Sequence, residues 1–575
     1  MKLTFFGAAR AVTGSCHCVE CNGRKYLIDC GLQQGRDEKD NSVLDFAPGM
    51  VEAVIVTHAH IDHSGRLPLL VKQGFDGDIY CTRLTAKLLG IMLLDSAHIQ
   101  ESDAQWENQK GKRAGKELVE PLYTIADAQE TLKHLVPVEY GKRIKLQDDV
   151  ELEFVDAGHL LGSAEAQLWL TEAGVTKKIV FSGDLGNLDQ PIIRDPQPIQ
   201  GGADYVVTES TYGDRLHGKV GSYKEELAAI IDDTMAKGGN VVIPSFAVGR
   251  TQELLYFIRE IKEEGLVKSN PNFEVVVDSP LAKEATEIFS GDLTGYLDED
   301  AIAAIKRGNL FQFPNLTLTE TVEESKALNA DGKSRVILSA SGMCDAGRIR
   351  HHLKHNLWRE ESTVVFVGYQ AEGSLGRRLL EGAERVKLFG EEIVVRAKIT
   401  RVEGLSSHAD QNGLLDWISH FDAPKPQQVF VVHGDQDVTV IYADLLKERG
   451  FAAHAPDYEE VYDLLAGRML APGIPPAVKE SLPTSPPVPR PTGGWRRRDS
   501  SFSPSSATTR GAPTRTWDGL PTRSGPSSRS GTGKIYAAPT GRPVFWVARF
   551  HIPSRRLGGP FLRPPPCHTS RARLI

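Results

Sequence analysis

Short apolar runs, many of them β-branched, recur along most of the chain, and each gives way abruptly to polar residues: "VEAVIVTHAH", "LEFVDAGH", "KIVFSGD", "DYVVTES", "NVVIPS", "FEVVVDSP", "RVILSASG", "TVVFVGYQ" and "QVFVVHGD". Unbroken runs of this kind, rather than alternating ones, predict strands buried on both faces. Amphipathic stretches separate several of them, the clearest being "GRTQELLYFIREIKEEGL", where Leu254, Leu255, Ile258 and Ile261 share one helical face. Strands alternating with helices predict an α/β architecture. In such sheets the polar residues at the carboxyl ends of strands line a crevice, which is where sites lie.

The most unusual of these ends is Thr57-His58-Ala59-His60-Ile61-Asp62-His63. Imidazole nitrogen and carboxylate oxygen together suit zinc. His58 and His60 can grip one ion where strand gives way to loop, leaving Asp62 and His63 pointing elsewhere. One tetrahedral zinc does not easily use all four, so a pair of ions roughly 3.5 to 4 Å apart is the natural arrangement. Further ligands are available at other strand ends: His159 in "DAGHLLGSA", Asp184 in "FSGDLG" and His433 in "VVHGD". Residues 211–390 read as a second α/β unit with ligand-type residues on both sides of it, hence as an insertion whose flanks must meet to complete one site. This gives a first part at residues 1–210, an inserted domain at 211–390, a completing part at 391–467 and a disordered, basic Pro/Ser/Arg-rich tail at 468–575.

Composition narrows the function. Residues 471–575 hold 17 Lys and Arg against 3 Asp and Glu, so a chain of net charge −8 divides into a tail of +14 and a body of −22. An acidic body argues against broad, patch-driven nucleic-acid binding and requires any such role to use a local cationic cleft. The 7 cysteines are scattered and suit a reducing compartment, the cytoplasm. Cys16, Cys18 and Cys21 fit alternation along a hairpin strand better than half of a zinc site. No apolar stretch approaches a membrane span, and Arg10 breaks the N-terminal apolar run too early for a secretory signal.

Taken together, "LIDCG", "THAHIDHSG", "DAGHLLGSA" and "FSGD", followed by "VVTESTYGDR", "SSHAD" and "VVHGD", resemble the metallo-β-lactamase fold in its β-CASP branch, whose members process nucleic acids. The likeness covers about the first 465 residues. It implies a four-layer αββα domain interrupted by an α/β β-CASP domain, and a two-zinc ribonuclease acting on single-stranded RNA. On matching residues, His58, His60 and His159 would hold one Zn2+, and Asp62, His63 and His433 the other, with Asp184 bridging. Asp29, ending "KYLIDCG", would orient a ligand imidazole. Glu209 and His408 would form an acid pair, His408 protonating the leaving oxygen; otherwise "SSHAD" is a helix start capped by Ser. Members acting on RNA carry His at the final motif, and DNA-repair members usually carry Val, so His433 favours RNA over DNA.

Candidate phosphate donors lie in the Gly- and Ser-containing turns: Ser245 and Arg250 in "PSFAVGRTQ", Ser341, Gly342 and Arg348 in "SASGMCDAGRIRHH", and Ser374 and Arg377 in "GSLGRR". Exposed N–H groups at helix starts suit anions, and Arg adds bidentate contact. A small-molecule hydrolase on the same fold would need no inserted domain, and a noncatalytic subunit would have lost ligands. Endo- and 5′-exonucleolytic cleavage both stay open, as do monomer and homodimer.

Overall fold

The structure, a computed structural model, describes residues 1–476 apart from 35–39, 113–114, 218–222, 308–309, 371–372, 403–405 and 422. The tail expected to be disordered therefore lies, from 477 on, outside the described residues.

Two sheets face one another across an apolar interior. One has eight strands, in the order Arg468–Ala471, Val461–Asp463, Lys2–Phe5, His17–Cys21, Arg24–Ile28, Val51–Ile55, Asp78–Thr82 and Leu135–Val138. The other has seven: Ala453–His454, Gln428–Val431, Tyr205–Thr208, Val175–Phe181, Ala164–Glu172, Val150–Asp156 and Ile144–Gln147. Period-two alternation sorts their side chains. Phe5, Ile28 and Ile55 of the first sheet meet Phe154, Phe181 and Phe430 of the second. The intervening Leu27, Val54 and Val56 turn outward to Leu67, Leu70, Leu84 and Leu88 of the helices Leu67–Lys72 and Arg83–Lys112. On the far side Val180, Val206, Val429 and Val431 are covered by Leu414, Ile418, Tyr442 and Leu446 of the helices Gln411–Ser419 and Gln436–Glu448. The result is the four-layer αββα sandwich.

The insertion is a six-stranded, wholly parallel sheet in the order Leu316–Thr319, Glu274–Asp278, Arg335–Ser339, Val241–Pro244, Thr363–Phe366 and Lys398–Arg401. Helices Tyr223–Ala236 and Arg250–Glu263 bury their apolar stripes on one face, including the four residues that share a side in the sequence. Helices Ile349–Asn356 and Leu375–Leu380 cover the other. One apolar cluster runs from Leu84 and Leu88 in the sandwich to Ala282 and Ala285 in the insertion.

Two boundaries shift. The insertion's last strand, Lys398–Arg401, lies beyond the expected limit at 390 because it pairs in parallel with Thr363–Phe366. Residues 468–474, expected in the tail, belong to the body: Arg468–Ala471 pairs with Val461–Asp463, and Ile474 bridges to Tyr458. Cys16, Cys18 and Cys21 are all buried and free, Cys18 and Cys21 facing opposite sides of one strand. No helix among the described residues is long and apolar enough to cross a membrane.

Candidate metal centre

The strand Val51–Ile55 runs parallel between Arg24–Ile28 and Asp78–Thr82, so its carboxyl end opens between neighbours. His58 and His60 follow at once. The short helix Ile61–Ser64 then turns the chain back and returns Asp62 and His63 to the same crevice. That turn is tight: a Cβ on Gly31 would lie 1.6 Å from the Asp62 carbonyl oxygen.

Seven ligand-type side chains converge there in two sets. In the first, His60 Nδ1 lies 3.0 Å from His58 Nε2 and 3.3 Å from His159 Nε2. Those two Nε2 atoms are each 3.5 Å from Asp184 Oδ2. In the second, His63 Nε2 lies 3.1 Å from His433 Nε2, and these stand 3.2 and 3.5 Å from Asp184 Oδ1. Asp62 Oδ2 completes the set, 3.6 Å from His433 Nε2. The two oxygens of Asp184 thus face different groups.

This donor set fits metal ions. Asp184 is 2 % exposed, and its Oδ1 has no hydrogen-bond donor among the described residues. Facing imidazole nitrogens share at most one proton if both rings are neutral, so several lone pairs point inward. Burial pushes His58, His60 and His159 below their ordinary value, holding them in the neutral form a metal needs. For His63, burial acts the same way but is outweighed by the carboxylates of Asp184 and Asp29, which push it up. Asp29 Oδ2 lies 2.7 Å from His63 Nδ1, while its Oδ1 accepts the Thr57 N–H at 2.8 Å. Both Asp29 and His433 sit at positive φ, 62° and 48°, an uncommon backbone state that places their side chains.

Three supports were not legible in the sequence. The Thr57 hydroxyl lies 2.9 Å from Asp29 Oδ2 and 3.2 Å from His58 Nδ1. His159 Nδ1 donates to the Ser407 carbonyl at 3.2 Å, and Thr211 Oγ1 stands 3.1 Å from His433 Nδ1. Contacts of this kind fix which ring nitrogen faces inward. Thr57 and Thr211 lie inside quoted motifs, but only the tertiary fold shows what they touch.

His408 flanks the first set, its ring 4.5 Å from that of His159 and its Nε2 3.9 Å from Asp184 Oδ2. Its Nδ1 lies 3.1 and 3.2 Å from the two Glu209 oxygens. Glu209 is itself fixed by the N–H groups of Leu185 at 2.6 Å and Thr211 at 3.2 Å. Burial alone would lower His408, yet the charges of Glu209 and Asp184 prevail and raise it to about 9. The helix beyond begins at Gln411 and is capped by Asp410, not by Ser, so His408 precedes the helix rather than opening it. His217 Nε2 braces it from outside at 2.9 Å from the His408 carbonyl.

The candidate phosphate donors are placed differently. Ser245 is 1 % exposed and shares a hydrogen bond with Thr251, and Arg250 pairs with Glu253 in a nearly buried contact, so neither side chain is presented to a ligand. Arg348 is anchored on Asp278 and the Glu320 carbonyl, Arg377 on Glu381, and Ser374 caps the helix Leu375–Leu380. Ser341 and Gly342 lie in the loop after Arg335–Ser339, close to the Phe246 turn.

Residues 9–234 match the metallo-beta-lactamase superfamily model, 251–379 the Beta-Casp domain, and 392–456 the Zn-dependent metallo-hydrolase RNA specificity domain. The chain is 37 % identical over 454 residues to "Ribonuclease TTHA0252" of Thermus thermophilus, covering 78 % of this chain and 97 % of that one. It is 31 % identical to "Transcription termination factor FttA" of Methanocaldococcus jannaschii, over 78 % of this chain and 69 % of the relative. The factor of that name from Methanosarcina mazei is also 31 % identical, over 76 % and 68 %. The chain belongs to the β-CASP branch of the metallo-β-lactamase superfamily, among its metal-dependent RNA nucleases.

Proposed function

We propose that the protein is a zinc ribonuclease that hydrolyses phosphodiester bonds of single-stranded RNA at a pair of ions. The observation that carries this is the division of Asp184, one oxygen toward His58 and His159 and the other toward His63 and His433. His58, His60 and His159 would hold one Zn2+, Asp62, His63 and His433 the second, and Asp184 both. Bound there, the ions would supply positive charge against a phosphate oxygen and lower the pKa of water toward 7.

The chain's own groups do the rest. Asp29 holds His63 with its Nε2 inward. Glu209 keeps His408 Nδ1 protonated and the ring oriented, so that Nε2–H is directed to the same face of the centre as Asp184 Oδ2 and protonates the departing 3′ oxygen. Water attack with that leaving group yields a 5′-phosphate and a 3′-hydroxyl. The RNA-specificity match at 392–456 and the ribonuclease relative support RNA as the substrate. The six free, buried cysteines among the described residues suit the cytoplasm.

End-labelled single-stranded RNA and DNA of one sequence test the proposal, with product ends mapped and zinc measured. Cleavage of RNA to 5′-phosphate ends by protein holding two zinc ions is expected. Preference for DNA, 2′,3′-cyclic phosphate ends, or activity at one ion per chain would overturn it.

A further inference from the structure

The loops after two strands of the insertion present rings. Val241–Pro244 and Thr363–Phe366 are neighbouring parallel strands, and just beyond them Phe246 and Tyr369 stand 48 % and 41 % exposed. Both are tied to one loop. A Cβ on Gly342 would fall 3.2 Å from two atoms of the Phe246 ring, so the ring rests on bare backbone there. Gln370 Nε2 donates to the Gly342 carbonyl at 3.0 Å and to the Tyr369 carbonyl at 3.0 Å.

This loop cluster borders the metal centre. Gly249, closing the Phe246 turn, approaches Leu160, the residue after His159, so closely that its Cβ would lie 3.0 Å from the Leu160 side chain. Both rings come from the insertion, and the Phe246 turn lies against the residue that follows His159.

Resting on the ribonuclease reading above, we infer that Phe246 and Tyr369 are platforms on which unpaired bases flanking the scissile phosphate stack. A body of charge −22 cannot hold RNA by phosphate attraction alone. Stacking on aromatic faces supplies affinity without charge and tolerates any sequence. A base inside a duplex has no free face, so the rings select single strands. Because Phe246 packs against a glycine at the surface rather than in a core, it is available to a ligand.

The test compares kcat/KM on three substrates: labelled single-stranded RNA, a strand of equal length with abasic riboses, and bis(p-nitrophenyl) phosphate. For Phe246→Ala, the ratio of RNA to abasic activity should fall about 10- to 100-fold, mostly through KM, and Phe246→Trp should restore it. Tyr369→Ala should act likewise and Tyr369→Phe should not. Equal loss on RNA and on the abasic strand, or no loss on RNA, would overturn the inference. Should the unaltered protein hydrolyse the ester and the abasic strand but not RNA, the ribonuclease reading itself falls, a result distinct from either.

Discussion

Asp278 closes a strand of the insertion and Asp184 lies three positions beyond the sandwich strand Val175–Phe181, and the chain treats them in opposite ways. Asp278 is 0 % exposed and satisfied by four donors: Thr319 and Arg348 on Oδ1, Ser325 and His352 on Oδ2. Asp184 is almost as deeply buried, but its neighbours are imidazole nitrogens, and Oδ1 accepts no hydrogen bond from the described residues. A buried carboxylate surrounded by protons is a structural knot; one surrounded by lone pairs is a demand for cations. The same pattern of apolar run and acidic end therefore encodes stability in one place and reactivity in the other, and the protons brought by other segments decide which.

The sharpest way to break this comparison is to remove the acceptor in each. Asp184→Asn should lose both ions and at least about 10⁴-fold in activity, with folding retained, as read by elemental analysis and circular dichroism. If zinc stays at two per chain, Asp184 is no bridge. His408→Ala comes next: RNA cleavage should fall roughly 10²- to 10⁴-fold with zinc content unchanged. An activated ester whose leaving group needs no proton should largely escape that loss, and equal losses on both substrates would place the acid elsewhere. Asp278→Ala should do the reverse, keeping the ligand set while destabilising the fold by about 3 to 5 kcal/mol in denaturant titration, since Arg348 and His352 lose a buried partner. A loss of metal in that variant would mean that Asp278 also serves the metal centre.

Two smaller effects sharpen it. A general acid works while protonated, so activity dependent on His408 should hold below its pKa and decline as pH rises through about 9. Ions bound beside it offset the Asp184 charge and move that limb lower, never higher, and His408→Ala should abolish it. The smallest expected effect is that of ending the chain after residue 476, which should leave cleavage and thermal stability near those of the full chain. Ending it at 467 removes the strand Arg468–Ala471 and should cost stability.

The convergence of these seven side chains was legible because its chemistry is local: three imidazoles and a carboxylate in six positions, and His159, Asp184 and His433 each just after an apolar run. The Asp278 knot was not, since its donors come from four separate segments and "VVVDSP" gives no hint of them. Arg250 misled for a different reason. A glycine-preceded Arg at a helix start invites an anion, but Glu253 one turn on supplies it from within the helix. The pairing of Lys398–Arg401 with the insertion's sheet was not foreseen, because this brief, charged edge strand has little apolar signature.

The order of the ligands along the chain also sets when activity can begin. His63 and His433 meet across 370 positions, and Glu209 and His408 across 199, with the whole inserted sheet between. A chain emerging from the ribosome exposes His58, His60, His63, His159 and Asp184 early and His408 and His433 late. Synthesis thus keeps a potential destroyer of RNA inert beside the very message being read until the insertion has been made and the flanks can close.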